Sequence, residues 1–168
     1  APEQVDDLRE LYRRTRGQAF GVEPKLRMLM GIYLSAAQFD KGYYQRALKA
    51  RGLIRKDFES IFDPQGEYQL DALLTPTTPS TAFPIGGVYG DSVLMQYSDQ
   101  LTVTTNHAGI PGLSVPVGFD HQGLPIGVQF LGRDYQEGLL LRLGRAFEKV
   151  TEDEEWRRRR PPVIAAEP

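Results

Sequence analysis

The stretch Asp99 to Gly132, DQLTVTTNHAGIPGLSVPVGFDHQGLPIGVQFLG, constrains the fold more tightly than any other part of the chain. In SVPVGF and PIGVQFL the apolar residues are too dense for a sheet face open to water, which predicts two strands covered on both sides. Between them, DHQG carries the Asp and Gly chemistry of a reverse turn and puts His121 on an exposed tip. A hairpin this apolar cannot stand alone in water, so it needs layers of helix or further strand. The flanking sequence has to supply them.

Upstream, between Glu3 and Thr15, Val5, Leu8, Leu11 and Tyr12 recur at helical spacing, with acidic residues early and arginines late as the helix dipole prefers. Gly17 is expected to end that helix. A second is predicted from near Pro24, with Leu26, Met30, Tyr33, Leu34 and Ala37 on one face and Arg27 off that stripe. Asp40 is placed to cap a third, long helix lined by Tyr44, Leu48, Ile54, Phe58, Ile61 and Phe62. Gly52 interrupts its pattern and Pro64 stops it. Asp71 to Thr75 reads as a short buried strand leading into a loop at Pro76 to Pro79. Asp91 caps a helix holding Leu94, Met95 and Leu101, expected to fade where β-branched Thr102 to Thr105 begin. Asp134 with Glu137 resembles a capping box before a helix that turns Leu139, Leu140, Leu143, Phe147 and Val150 inward. The expected organisation is one partial domain over residues 1–168, of which 151–168 form a charged tail containing Pro161 and Pro162.

Charge and composition remove several function classes. Lys and Arg number 20 against 22 Asp and Glu, a net charge of -2, so no whole-chain field is available to hold nucleic acid. The run Arg157 to Arg160 is a local exception, explained as well by solvation or by pairing with Glu152 to Glu155. The sequence contains no cysteine, which excludes disulfides and thiolate metal sites and fits a reducing compartment. His107 and His121 are far apart and suggest no metal cluster. No apolar run approaches the roughly 20 residues needed to span a bilayer. The expected location is therefore the cytoplasm. The start at Ala1, without an initiator Met and inside helix-forming sequence, reads as that of a fragment or processed product.

Motifs for catalysis are mostly wanting: no G-x-S-x-G, no Walker loop, no HExxH and no Cys/His pairing occur. Gly109, Gly112, Gly118, Gly123, Gly127 and Gly132 suit close packing at corners and in strands better than phosphate binding. Arg27 and Asp99 are more informative. Should their elements converge, a guanidinium and a carboxylate face one cavity, as a zwitterionic amino acid requires: Arg forks onto the α-carboxylate and Asp accepts from the α-ammonium. The plainer alternative is that both are simply solvated, as most Arg and Asp are. His107 beside Asn106 has the chemistry of a general base but no nucleophile to serve, and a loop or packed histidine explains it as well.

The succession YRRTRGQAFGVEPKLRMLMG, LLTPTTPSTAFPIG, MQYSDQLTVTTNHAGIPGLSVPVGF and GLPIGVQFLG closely resembles the C-terminal part of amidase-signature enzymes. The resemblance runs in order from about Asp7 to Pro162, and within the family it is most similar to the glutaminase subunits of tRNA-dependent amidotransferases. It implies part of an α/β/α sandwich around a mixed central sheet: a helical N-terminal part, then strands, a buried hairpin and a C-terminal helix. It also implies amide hydrolysis by a Ser, cis-Ser, Lys triad, releasing ammonia from glutamine to convert Glu-tRNA(Gln) to Gln-tRNA(Gln). Amidotransferase subunits B and C are the implied partners, and tRNA is met only through the complex. No cofactor or metal is expected in this chain, since ATP and Mg are used by the partner subunit. No SxGGS-like segment occurs, so the resemblance places no catalytic residue here and makes the chain roughly the last third of such a protein. Arg27 matches the arginine that holds the glutamine carboxylate, after the GxExK segment, and Asp99 matches the aspartate of the YxxD segment that holds its amino group. Leu26 stands where the family usually has another Arg, and His107 where Leu is common, which argues against a catalytic histidine. Two other readings remain open: the same segment of a stand-alone amidase acting on another small amide, and a non-catalytic scaffold that binds a partner subunit.

Overall fold

A computed structural model describes residues 7–36, 40–88 and 90–159, so that Glu3, Val5, Ala37, Arg160, Pro161 and Pro162 lie outside the described residues. The chain forms two compact units, residues 1–50 and 51–168.

The first unit holds α1 (Leu8–Ala19), α2 (Val22–Ser35), a π-helical turn (Asp40–Tyr44) and the start of α3 (Gln45–Phe62). Asp7 caps α1, its carboxylate accepting from the Arg9 N–H at 3.0 Å. Gly17 does not end α1 but lies within it, and the helix stops where Phe20 turns extended. One glycine costs a helix only about 1 kcal/mol. Ion pairs along the helix offset part of that, as Glu10 accepts from both Arg13 and Arg14. The helix expected to be capped by Asp40 opens instead with the π-helical turn, and α3 runs through Gly52 without a break to Phe62, just before Pro64.

The second unit is built on an antiparallel sheet of three strands, β1 (Ala72–Pro76), β2 (Gly112–Phe119) and β3 (Pro125–Gly132), in the order β1-β3-β2. The predicted hairpin is β2–β3, with Leu113 opposite Phe130 and Val115 opposite Val128. Asp120 makes its turn: the carboxylate accepts from the Gln122 and Leu124 N–H groups, and Gly123 takes a φ of 82°. The register slips between Pro116 and Gly118, where a proline cannot donate to the ladder and the glycine takes a φ of 147°. β1 adds to the far side of β3, pairing Leu73 with Leu131 and Leu74 with Phe130.

Helix α6 (Glu137–Val150) covers one face. Its Leu140 is buried and approaches Gly132, while Gly144 lets the helix close on Leu113 and Val115. The capping box expected at Asp134 is not made: the N-cap position is Gln136, without a side-chain bond, because Asp134 pairs with Arg55 instead. Val150 does not turn inward but lies exposed at the last turn of α6. Cover over the hairpin is uneven. Val115, Gln129 and Leu131 are buried, whereas Ile126 at one end of β3 and Leu74 on β1 stay exposed.

Two short helices precede the hairpin, α4 (Ser92–Tyr97) and α5 (Val103–Ala108). Asp91 caps α4 as expected, accepting from the Val93 and Leu94 N–H groups. The β-branched run Thr102 to Thr105 does not leave the helical region; it enters α5. The Asp99 carbonyl accepts from the Thr102 and Val103 N–H groups, and Gly109 at a φ of 74° closes the far end. These local hydrogen bonds override a weak strand propensity. Among the described residues, no helix is long and apolar enough to cross a membrane.

Candidate functional site

Asp99 follows the end of α4 and starts the turn into α5. Its carbonyl takes the Thr102 and Val103 N–H groups at 2.9 Å each and the Thr102 hydroxyl at 3.0 Å, which fixes the main chain at this point. The side chain is left exposed, and among the described residues no hydrogen bond or ion pair engages its carboxylate. Such a group is ready to accept from a cationic or N–H-bearing ligand.

The turn is pinned from the sheet. Gln129, only 4% exposed on the central strand, donates from Nε2 to the Leu101 carbonyl at 2.8 Å, and to Thr75 Oγ1 and the Pro76 carbonyl at 3.1 and 3.3 Å. At the other end of α5, Arg51 Nε donates to the His107 carbonyl at 2.7 Å and Arg55 Nη1 to the Ala108 carbonyl at 3.1 Å. Arg55 also pairs with Asp134 and with Glu59. The Asp134 carboxylate, followed by that of Glu59, raises the pKa of the Arg55 guanidinium above its ordinary value. Gln129, Arg51 and Arg55 are not singled out by residue type or spacing. A legible signal exists for one of them: a glutamine inside PIGVQFLG is a polar group in a buried strand and must find partners.

Arg27 belongs to the first unit, on α2, where its Nε donates to Glu23 Oε1 at 2.9 Å one helical turn back. Among the described residues its two Nη groups have no partner, which leaves the fork that a carboxylate uses. Arg27 and Asp99 are carried by separate units.

His107 is an exposed residue of α5 whose ring Nδ1–H donates to the Val103 carbonyl at 2.7 Å, so it is engaged with its own helix. His121 lies exposed at the hairpin tip, as expected. Asp120 beside it is committed to the turn: the Leu124 N–H, then the Thr81 hydroxyl at 2.7 Å, hold its carboxyl below the usual carboxylate range. No group of His, Asp and Glu among the described residues is arranged to hold a metal ion. A cavity of about 480 Å³ opens beside Arg55, Phe58, Phe62, Ile110, Arg133 and Asp134, and neither Arg27 nor Asp99 lines it.

A family model described as Amidase matches residues 1–141 of this chain. The chain is 45% identical over 162 residues to the A subunit of glutamyl-tRNA(Gln) amidotransferase from Desulforudis audaxviator, covering 96% of this chain and 31% of that protein. It is 47% identical over 148 residues to the protein of the same name from Ruegeria pomeroyi, covering 88% and 29%. Among solved structures, the A subunit of glutamyl-tRNA(Gln) amidotransferase from Thermotoga maritima superposes with a TM-score of 0.59 at 35% identity, over 81% of this chain and 29% of that one. The chain thus spans about three-tenths of the length of the relatives it matches.

Proposed function

The chain belongs to the amidase family, and on that footing we propose that it is the C-terminal, glutamine-binding part of the glutaminase subunit of a tRNA-dependent amidotransferase. That subunit releases ammonia from glutamine, and a partner subunit uses the ammonia to convert Glu-tRNA(Gln) to Gln-tRNA(Gln). Asp99 accepts from the α-ammonium of glutamine and Arg27 forks onto its α-carboxylate. The family's serines and lysine are assigned to sequence outside these 168 residues. ATP and Mg belong to the partner subunit, subunits B and C are the partners, and tRNA is reached through the complex. The working compartment is the cytoplasm.

The observation that carries this reading is the Asp99 carboxylate, exposed and unengaged among the described residues on a turn held from the sheet by Gln129, ahead of a helix whose far end is held from α3. A surface aspartate needs no such fixed main chain merely to be solvated. Similarity over nearly the whole chain to proteins named as glutamyl-tRNA(Gln) amidotransferase supports the choice of substrate.

The test is steady-state glutaminase kinetics on the native gene product that carries these residues. Asp99→Ala is expected to raise the KM for glutamine by at least about tenfold, the usual scale for losing a hydrogen bond to a charged group, with a smaller effect on kcat. An unchanged KM would sink the glutamine assignment and favour an amidase acting on another small amide.

A further inference from the structure

Helix α5 has 6 residues, too few for its own hydrogen bonds to hold it in place. It buries Thr105 and Ala108, and side chains from elsewhere in the unit reach its backbone. At the entry, the Leu101 carbonyl, two residues past Asp99, accepts from Gln129 at 2.8 Å. At the exit, Arg51 and Arg55 hold the carbonyls of His107 and Ala108. Every one of these bonds ends on a main-chain oxygen, so together they set where the backbone carrying Asp99 lies.

Gln129 is the most constrained of the three. It pairs with Thr75 on β1 and with Ser114 on β2, so its Cα is fixed from both sides. A primary amide buried on a central strand is unfavourable unless its N–H groups are satisfied, and a β-branched aliphatic residue would suit the strand better if burial were all that mattered. What the amide does that an aliphatic side chain cannot is tie the Asp99–Thr102 turn to the β1–β3 edge through Leu101, Thr75 and Pro76.

We infer that Gln129 is a positioning residue for the Asp99 carboxylate, with Arg51 securing the other end of the same helix. The inference rests on the reading of Asp99 as the acceptor for the substrate ammonium. Removing the Gln129 donors frees the turn to shift, and the carboxylate moves off its ligand while the reacting amide at the other end of the substrate is left in place. The loss falls on substrate binding more than on turnover.

A double-mutant cycle on the native enzyme tests this, with KM and kcat for glutamine measured in wild type, Asp99→Ala, Gln129→Met and the double variant. Methionine keeps nearly the volume of glutamine and removes the donors. Gln129→Met alone is expected to raise KM about three- to tenfold, the scale of one to two neutral hydrogen bonds, with kcat within about twofold. In the Asp99→Ala background the same substitution should change KM by less than about twofold, because the group it positions is gone. An equal rise in both backgrounds, an unchanged KM, or a fall in kcat alone would overturn the inference. If Gln129→Met does not fold, Arg51→Met takes its place in the same cycle, since it removes one bond at an exposed residue. A wild-type KM in Asp99→Ala overturns the reading of Asp99 itself, and that failure appears in a variant whose Gln129 is intact.

Discussion

The two units use the same raw material, amphipathic helices, to opposite ends. In the first, neither α1 nor α2 has a buried residue, and apolar side chains such as Leu29, 63% exposed, face solvent. The bonds on those helices are short in range: the Asp7 cap, pairs three or four residues apart, Glu10 with Arg13 and Arg14 and Glu23 with Arg27, and the Lys25 ammonium on the Gly17 carbonyl. In the second, α6 lays Leu140, 2% exposed, onto Gly132 of the sheet, and Arg55 bonds residues 53 and 79 positions away. The contrast teaches that helical periodicity predicts a helix, while burial of its apolar stripe depends on having a sheet to cover.

The sharpest way to break that contrast is truncation of one leucine in each unit. Leu140→Ala should cost about 2–5 kcal/mol, the usual range for a buried leucine, against within about 0.5 kcal/mol for Leu29→Ala. Urea unfolding followed through the fluorescence of Trp156 would read the first and far-UV circular dichroism the second; equal losses would erase the difference. A smaller effect comes from the same substitution at two glycines. Gly109 has a φ of 74° at the end of α5, so Gly109→Ala should lose about 1–2 kcal/mol to left-handed strain. Gly17 lies in α1 with open space around it, so Gly17→Ala should gain up to about 1 kcal/mol from helix propensity. Thermal melts of the two variants should move in opposite directions.

The smallest expected effect concerns Glu10. Arg13 first, then Arg14, donate to its carboxylate and lower its pKa from the ordinary glutamate range to about 2. A carboxyl depressed in the folded state adds stability that is fully present above its ordinary value and is lost as pH falls toward about 2. Helix signal should therefore decline across that acidic window in low salt, with a shallower decline in Glu10→Gln. Identical profiles for the two proteins would show the pairs to be solvated contacts without weight.

Legibility in the sequence follows the range of the interaction. The hairpin, its Asp120–Gly123 turn, the Asp91 cap and the stop before Pro64 are each specified by neighbours within a few residues, and each appears where the pattern places it. The expectation that helix fades at Thr102 to Thr105 fails because the Asp99 carbonyl and Gly109 close a helix around β-branched residues. The capping box at Asp134 fails because a distant guanidinium, Arg55, takes the carboxylate. Of the candidate site, Arg27 and Asp99 can be named from residue type and family likeness and Gln129 only as a buried polar group that must find partners, whereas Arg51 and Arg55 cannot.

Turn chemistry, capping and the density of apolar residues are local properties written along the chain, and they are enough for the hairpin and most of the helices, while the amidase kinship is carried by the succession of motifs. Which carbonyl Gln129 reaches, which carboxylate Arg55 takes and which apolar faces stay in water depend on residues brought together from 28 to 79 positions apart. No periodicity encodes such pairs, because their energy exists only once the sheet has set the strands side by side and a buried donor must find its acceptor.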